Sequence, residues 1–144
     1  MSRHKARQMA IETLFSREFH GKDDIQYQEE EILHSVNGTD EEHNPAVQDE
    51  EEYCNYLVTT TTEHMDEFDQ IIQSLARGWD VSQMNRADKN VMRLALCELI
   101  YPKDARMADA VVLNEAIELA KEFSGHKSSR FVNGILGAYV RQRK

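Results

Sequence analysis

The sequence predicts an all-α protein of about seven helices arranged as two small packed bundles, and three observations lead there. Apolar residues recur at three- and four-residue spacing along several long segments, the pattern of a helix with one buried face. Only 6 glycines and 2 prolines interrupt 144 residues, which favours long helices over many tight turns. A hydrophobic content of 40% over that length suits one domain, residues 1–144, with a single core.

Ser2 can cap a first helix running to about His20, with Ala6, Met9, Ala10, Thr13 and Leu14 on its buried face and Gly21 as its stop. Arg3 and Arg7, four residues apart, project from one side near its start, with Lys5 close by. Positive charge at a helix N-terminus opposes the macrodipole by roughly 0.3–1 kcal/mol per group. The cluster therefore reads either as a solvated basic end or as a seat for an anion such as phosphate, helped by the free N–H groups of the first turn. A short helix over Asp23–Leu33 has Ile25, Ile32 and Leu33 as its anchors. The segment at about 35–49 reads as a loop, because Asn37-Gly38 and Asn44-Pro45 are turn signals and its acidic runs lack apolar residues to pack. Those acids do not follow the alternating spacing of a calcium-binding loop.

Helix resumes near Glu50 and carries Tyr53, Leu57, Thr61, Met65, Phe68, Ile72 and Leu75 on one stripe, with a bend expected near Glu63. Thr59 to Thr62 are four consecutive β-branched residues, so that turn must rely on packing. His64 reads as a core-edge histidine and Trp79 as a plug between the two halves. Ser82 can cap a short turn. Asp88–Tyr101 is apolar on most sides, which marks a helix covered all round, ended by Pro102. Glu98, within it, needs a partner if buried.

Val111–Leu136 reads as two helices joined by a short turn. Val112, Ala116, Ile117, Ala120 and Phe123 face the core of the first, and Glu115, Glu118, Lys121 and Glu122 hold its solvent side. Gly125 stops it, and Ser128 or Ser129 can cap the next, which buries Phe131, Val132, Ile135, Leu136 and Tyr139. The loop and helix start from His126 to Phe131 gather two cations, two hydroxyls and an aromatic. Lys127, Ser128 and Arg130 can hold phosphates there, while Phe131 serves equally as a stacking platform or as core.

A net charge of −9 argues at first against nucleic acid, since phosphate neutralisation supplies most of the affinity of such proteins. The distribution answers this: residues 1–22 carry net +3, residues 23–76 net −16 with no Lys or Arg, and residues 77–144 net +4. All the excess acid sits in one block. Cys54 and Cys97 lie far apart with no Cys-x-x-Cys pair, which suggests neither a disulfide framework nor zinc and fits a reduced cytoplasm. No metal, cofactor or catalytic constellation is expected: histidines are scattered, and there is no phosphate-binding glycine loop or matched acid pair. No apolar run is long enough for a membrane span.

The block NEAIELAKEF, a polar turn and then FVNGIL resembles the C-terminal signature of the NusB family of bacterial transcription antitermination factors. The basic helix RHKARQMAIETLFS and the central ADKNVMRLALCEL stand in the order that family shows, and the likeness covers residues 3–20 and 79–140. The resemblance implies a binding protein rather than an enzyme. Its expected ligand is boxA-type single-stranded RNA, gripped with ribosomal protein NusE and loaded onto an RNA polymerase elongation complex with other Nus factors, favouring read-through of ribosomal RNA operons. Arg3, Lys5 and Arg7 are then RNA contacts at the N-terminal helix, joined by Lys127, Ser128, Arg130 and Phe131. Phe15 and Asp88 fall at the partner-binding positions. Some relatives self-associate, so a homodimer stays open. The rival reading is an all-helical interaction adaptor without RNA affinity that works through its acidic block.

Overall fold

The computed structural model describes residues 3–17, 45–76, 78, 80, 84–103 and 107–143, and the regular structure among them is helical. In chain order the helices are α1 (Arg3–Arg17), α2 (Pro45–Glu63), α3 (Met65–Leu75), α4 (Arg86–Ile100), α5 (Asp109–Phe123) and α6 (His126–Arg143). The expected helix over Asp23–Leu33, most of the acidic loop, Trp79 and Ser82 lie outside the described residues. The chain divides into two compact units, Met1–Thr59 and Thr60–Lys144.

In the first unit α1 buries Ala6, Met9, Ala10, Thr13 and Leu14, as its spacing predicts, and also Arg7, Ile11 and Ser16. Tyr53, Cys54, Leu57 and Val58 form the buried side of α2. That helix starts at Pro45 rather than near Glu50, so the expected loop is shorter at its C-terminal end. The proline that reads as a turn signal is well suited to open a helix, because its φ is preset and the N–H it lacks has no partner in a first turn.

The second unit is built around α4, where every residue from Ala87 to Leu99 except Lys89 is buried. It touches α3, α5 and α6, while α5 packs along α6. Val91, Met92, Leu94 and Leu96 are at most 1% exposed, each contributing about 1.5–3 kcal/mol of burial. Glu98 is 4% exposed and is engaged within the fold, as its place among apolar neighbours requires. The expected bend falls at His64, where φ −114° and ψ 20° separate α2 from α3. It is pinned from outside: His64 stacks on Tyr101 with centroids 4.2 Å apart, and the Tyr101 hydroxyl donates to Glu67 at 2.8 Å.

Two local expectations are corrected. Leu119 replaces Ile117 and Phe123 on the fully buried stripe of α5, and Val140 takes the place expected for Phe131 and Tyr139 in α6; the displaced residues are half-buried. Ser128 and Ser129 are not caps. Gly125, at φ +116°, ends α5, and its carbonyl accepts from Ser129 N–H at 3.1 Å, so one residue closes α5 and opens α6. The serines lie inside the first turn of α6.

Burial pushes the Cys97 thiol up to about 11, with the Thr61 hydroxyl acting the other way and the Glu98 carboxylate reinforcing burial. Cys54 is likewise buried. Both thiols are therefore expected to resist an aromatic disulfide reagent at pH 8 in native protein and to react fully in denaturant. Fast labelling of the native chain contradicts this packing.

Candidate nucleic-acid and partner surfaces

The N-terminal surface belongs to the first unit. The first turn of α1 holds no acidic side chain. Arg3 is half-buried, with its guanidinium carbon 3.7 Å from the centroid of the Tyr53 ring, and Lys5 is exposed. Arg7 departs from expectation. It is only 2% exposed and engaged within the fold, so it holds no open position for phosphate. Arg3 and Arg7 do lie near one face, but that face is covered from Ala6 and Arg7 onward, and on it only the helix end is less than fully buried. Along the outer side Lys5, Gln8, Glu12 and Phe15 follow one another at three- and four-residue steps, and Phe15 is 40% exposed. Partial burial raises the Glu12 carboxyl above its ordinary range.

The second surface surrounds the start of α6, where successive side chains leave the helix about 100° apart and divide the expected cluster between two hollows. A cavity of about 420 Å³ is lined by Met84, Asn85, Asp88, Ser124, Lys127, Ser128 and Phe131. Another, of about 310 Å³, is lined by Ile117, Lys121, His126, Ser129, Arg130 and Asn133. Lys127 and Arg130 are exposed, and Ser128 and Phe131 half-buried. Lys127 thus shares its hollow with an aromatic and a carboxylate, and Arg130 shares the other with Lys121 and His126. A phosphate on the Arg130 side would meet cations from two helices and lie near the opening turn of α6.

Asp88 links α4 to this surface. Asn85 caps α4, its side chain accepting from Ala87 N–H at 2.8 Å, which leaves Asp88 in the first turn rather than at the cap. Asp88 is 7% exposed, and its Oδ2 accepts the Ser128 hydroxyl at 3.1 Å. Its Oδ1 is buried without a hydrogen-bond partner, an arrangement that costs about 1–3 kcal/mol. A partner protein therefore meets little of Asp88 itself, whose contact within the fold fixes the first turn of α6.

Sequence reasoning passed over Lys121, Asn133 and Tyr53 as site residues. Lys121 reads as one of several charges on the solvent face of α5, where it pairs with Glu118 at 3.6 Å, a surface contact of small worth. Among the described residues no group of three or more His, Cys, Asp or Glu side chains is gathered for a metal. Among the described residues no helix is long and apolar enough to cross a membrane.

The sequence profile described as the NusB family matches residues 4–141. A transcription antitermination protein NusB of Symbiobacterium thermophilum is 38% identical, over 100% of this chain and 92% of that protein. Its counterpart in Chloroflexus aggregans is 39% identical over 96% and 86%. Among solved structures, antitermination factors NusB and NusE in complex with double-stranded RNA include a chain that superposes with a TM-score of 0.77. The two are 26% identical, with 97% of this chain and 96% of that one covered. With these matches running nearly end to end, and with the helical units and basic junction described above, the chain belongs to the NusB family.

Proposed function

We propose that this protein is a transcription antitermination factor that binds boxA-type RNA together with ribosomal protein NusE. It joins the elongating RNA polymerase with other Nus factors in the cytoplasm and favours read-through of ribosomal RNA operons. It works by binding and carries out no reaction. The observation that carries this reading is the start of α6, where Lys121, His126 and Arg130 line one hollow and Lys127, Ser128 and Phe131 another. Cations, hydroxyls and an aromatic side by side serve phosphates and an unstacked base at once. Arg3 and Lys5 add a basic contact from α1. Phe15, exposed on α1, contributes to the partner face, and Asp88 supports recognition by holding Ser128. The net charge of −9 draws in a basic ribosomal protein.

Fluorescence anisotropy tests this directly. A labelled boxA-type strand, a scrambled strand and a duplex are titrated at two salt concentrations, with and without the ribosomal partner. Selective binding that tightens with partner and weakens with salt is expected. Arg3→Glu with Lys5→Glu should lower affinity by about tenfold or more, taking roughly 1.5 kcal/mol for one charge-assisted contact. Phe15→Ala should weaken only the partner-dependent part. Folded protein that distinguishes none of these RNAs under any condition would return the function to a protein-only adaptor working through its acidic block.

A further inference from the structure

We propose that Tyr53 is a positioning residue for RNA binding, its ring holding the Arg3 guanidinium in place at the start of α1; this rests on the reading of that helix end as an RNA contact. The guanidinium carbon lies 3.7 Å from the ring centroid, well inside the range of a cation–π contact. The two partners differ in character. Tyr53 is 1% exposed, flanked in sequence by buried Cys54 and within ring contact of Tyr56, with centroids 6.1 Å apart. Arg3 is half-buried at the first position of its helix. A fixed ring therefore meets a long side chain that would otherwise sample many rotamers.

This choice of partner has a chemical consequence. A carboxylate would neutralise the guanidinium and occupy its N–H donors. An aromatic face takes the planar surface of the group while donors remain along its rim for a phosphate. The ring also accounts for a cation at the helix end where the macrodipole disfavours one. Ordering Arg3 before RNA arrives removes part of the entropic cost of binding, the general advantage of a prepared contact.

Two measurements test it. In free protein, the heteronuclear NOE of Arg3 Nε–Hε should report an ordered group in wild type and Tyr53→Phe and a mobile one in Tyr53→Leu. In RNA titrations, Tyr53→Leu and Arg3→Gln should each weaken binding by about three- to tenfold, with the double variant no worse than either. Each should also reduce the salt slope by about 0.7, the loss of one phosphate contact on a single strand. Tyr53→Phe should stay within about twofold of wild type. Arg3→Lys, which leaves the core untouched, keeps the charge without the planar group and should lose affinity while retaining the slope. Additive losses, an unchanged slope in Tyr53→Leu, a mobile Arg3 in wild type, or full affinity in Arg3→Lys would each overturn the proposal. Tighter RNA binding by Tyr53→Leu would overturn it too, by showing that the ring withholds Arg3. An ordered Arg3 in a wild-type protein that binds no RNA would overturn the RNA reading itself and this role with it.

Discussion

Replacing Lys121 and Arg130 together with glutamine is expected to weaken RNA binding about a hundredfold, taking roughly 1.5 kcal/mol for each charge-assisted phosphate contact. Both side chains are exposed and line one hollow from different helices. The chain should keep its fold, since substitutions at such positions usually fall within about 0.5 kcal/mol. Affinity and stability therefore separate, which is how a binding surface differs from a structural one. Salt dependence supplies the second readout: two lost contacts on a single strand should reduce the slope of log K against log salt by about 1.4. Titration at several salt concentrations, with thermal melts of the same samples, measures both. A double variant that binds as tightly as wild type would move the phosphate path off this hollow, leaving the Lys127 side as the surface to dissect. Loss of affinity without change in slope would mean that the pair shapes the junction instead of meeting phosphate.

Much of this architecture is written in local pattern. Gly125 marks the end of α5 because a left-handed residue is needed there, Pro102 lies just past α4, and Val91–Leu99, apolar on most sides and interrupted only by Arg93 and Glu98, identifies the helix with neighbours all round. What local pattern does not carry is the pairing of residues from separate elements. Lys121 and Arg130 lie nine positions apart across a turn, and no single helical period relates them. Tyr53 lies fifty positions from Arg3, and its place on an apolar stripe marks it as core without indicating what rests on its ring. Arg7 shows the opposite limit. Its spacing from Arg3 is that of one helical face, but the cover over that face changes within a turn of the helix end, and periodicity is blind to such a change. Asp88 and Ser128 are each ordinary helix-start residues in sequence, and only the fold reveals that one holds the other.

Arg93 gives the largest expected effect on stability. Its Nε donates to Asp69 Oδ1 at 2.7 Å and its Nη2 to Oδ2 at 2.8 Å, a two-point contact between α3 and α4, while Nη1 donates to Asn90 Oδ1 at 3.1 Å. The Arg93 side chain is 8% exposed and that of Asp69 28%. Arg93→Ala should therefore cost about 3 kcal/mol, the lower part of the range for breaking a buried pair, because water can partly resolvate the carboxylate left behind. Urea unfolding should show the loss as a lower midpoint at an unchanged slope. Arg93→Met with Asp69→Leu is the informative companion. It removes both charges while keeping apolar volume, and such replacements are often neutral or stabilising, so it should recover most of the loss. The pair then serves to fix how α4 seats on α3, and α4 carries Asp88, the residue that holds Ser128 at the candidate surface. RNA affinity in the recovered variant decides whether that seating matters. Wild-type stability with weakened binding would make the ion pair a device of orientation, whereas full recovery of both would leave it as one of several ways to fill the same space.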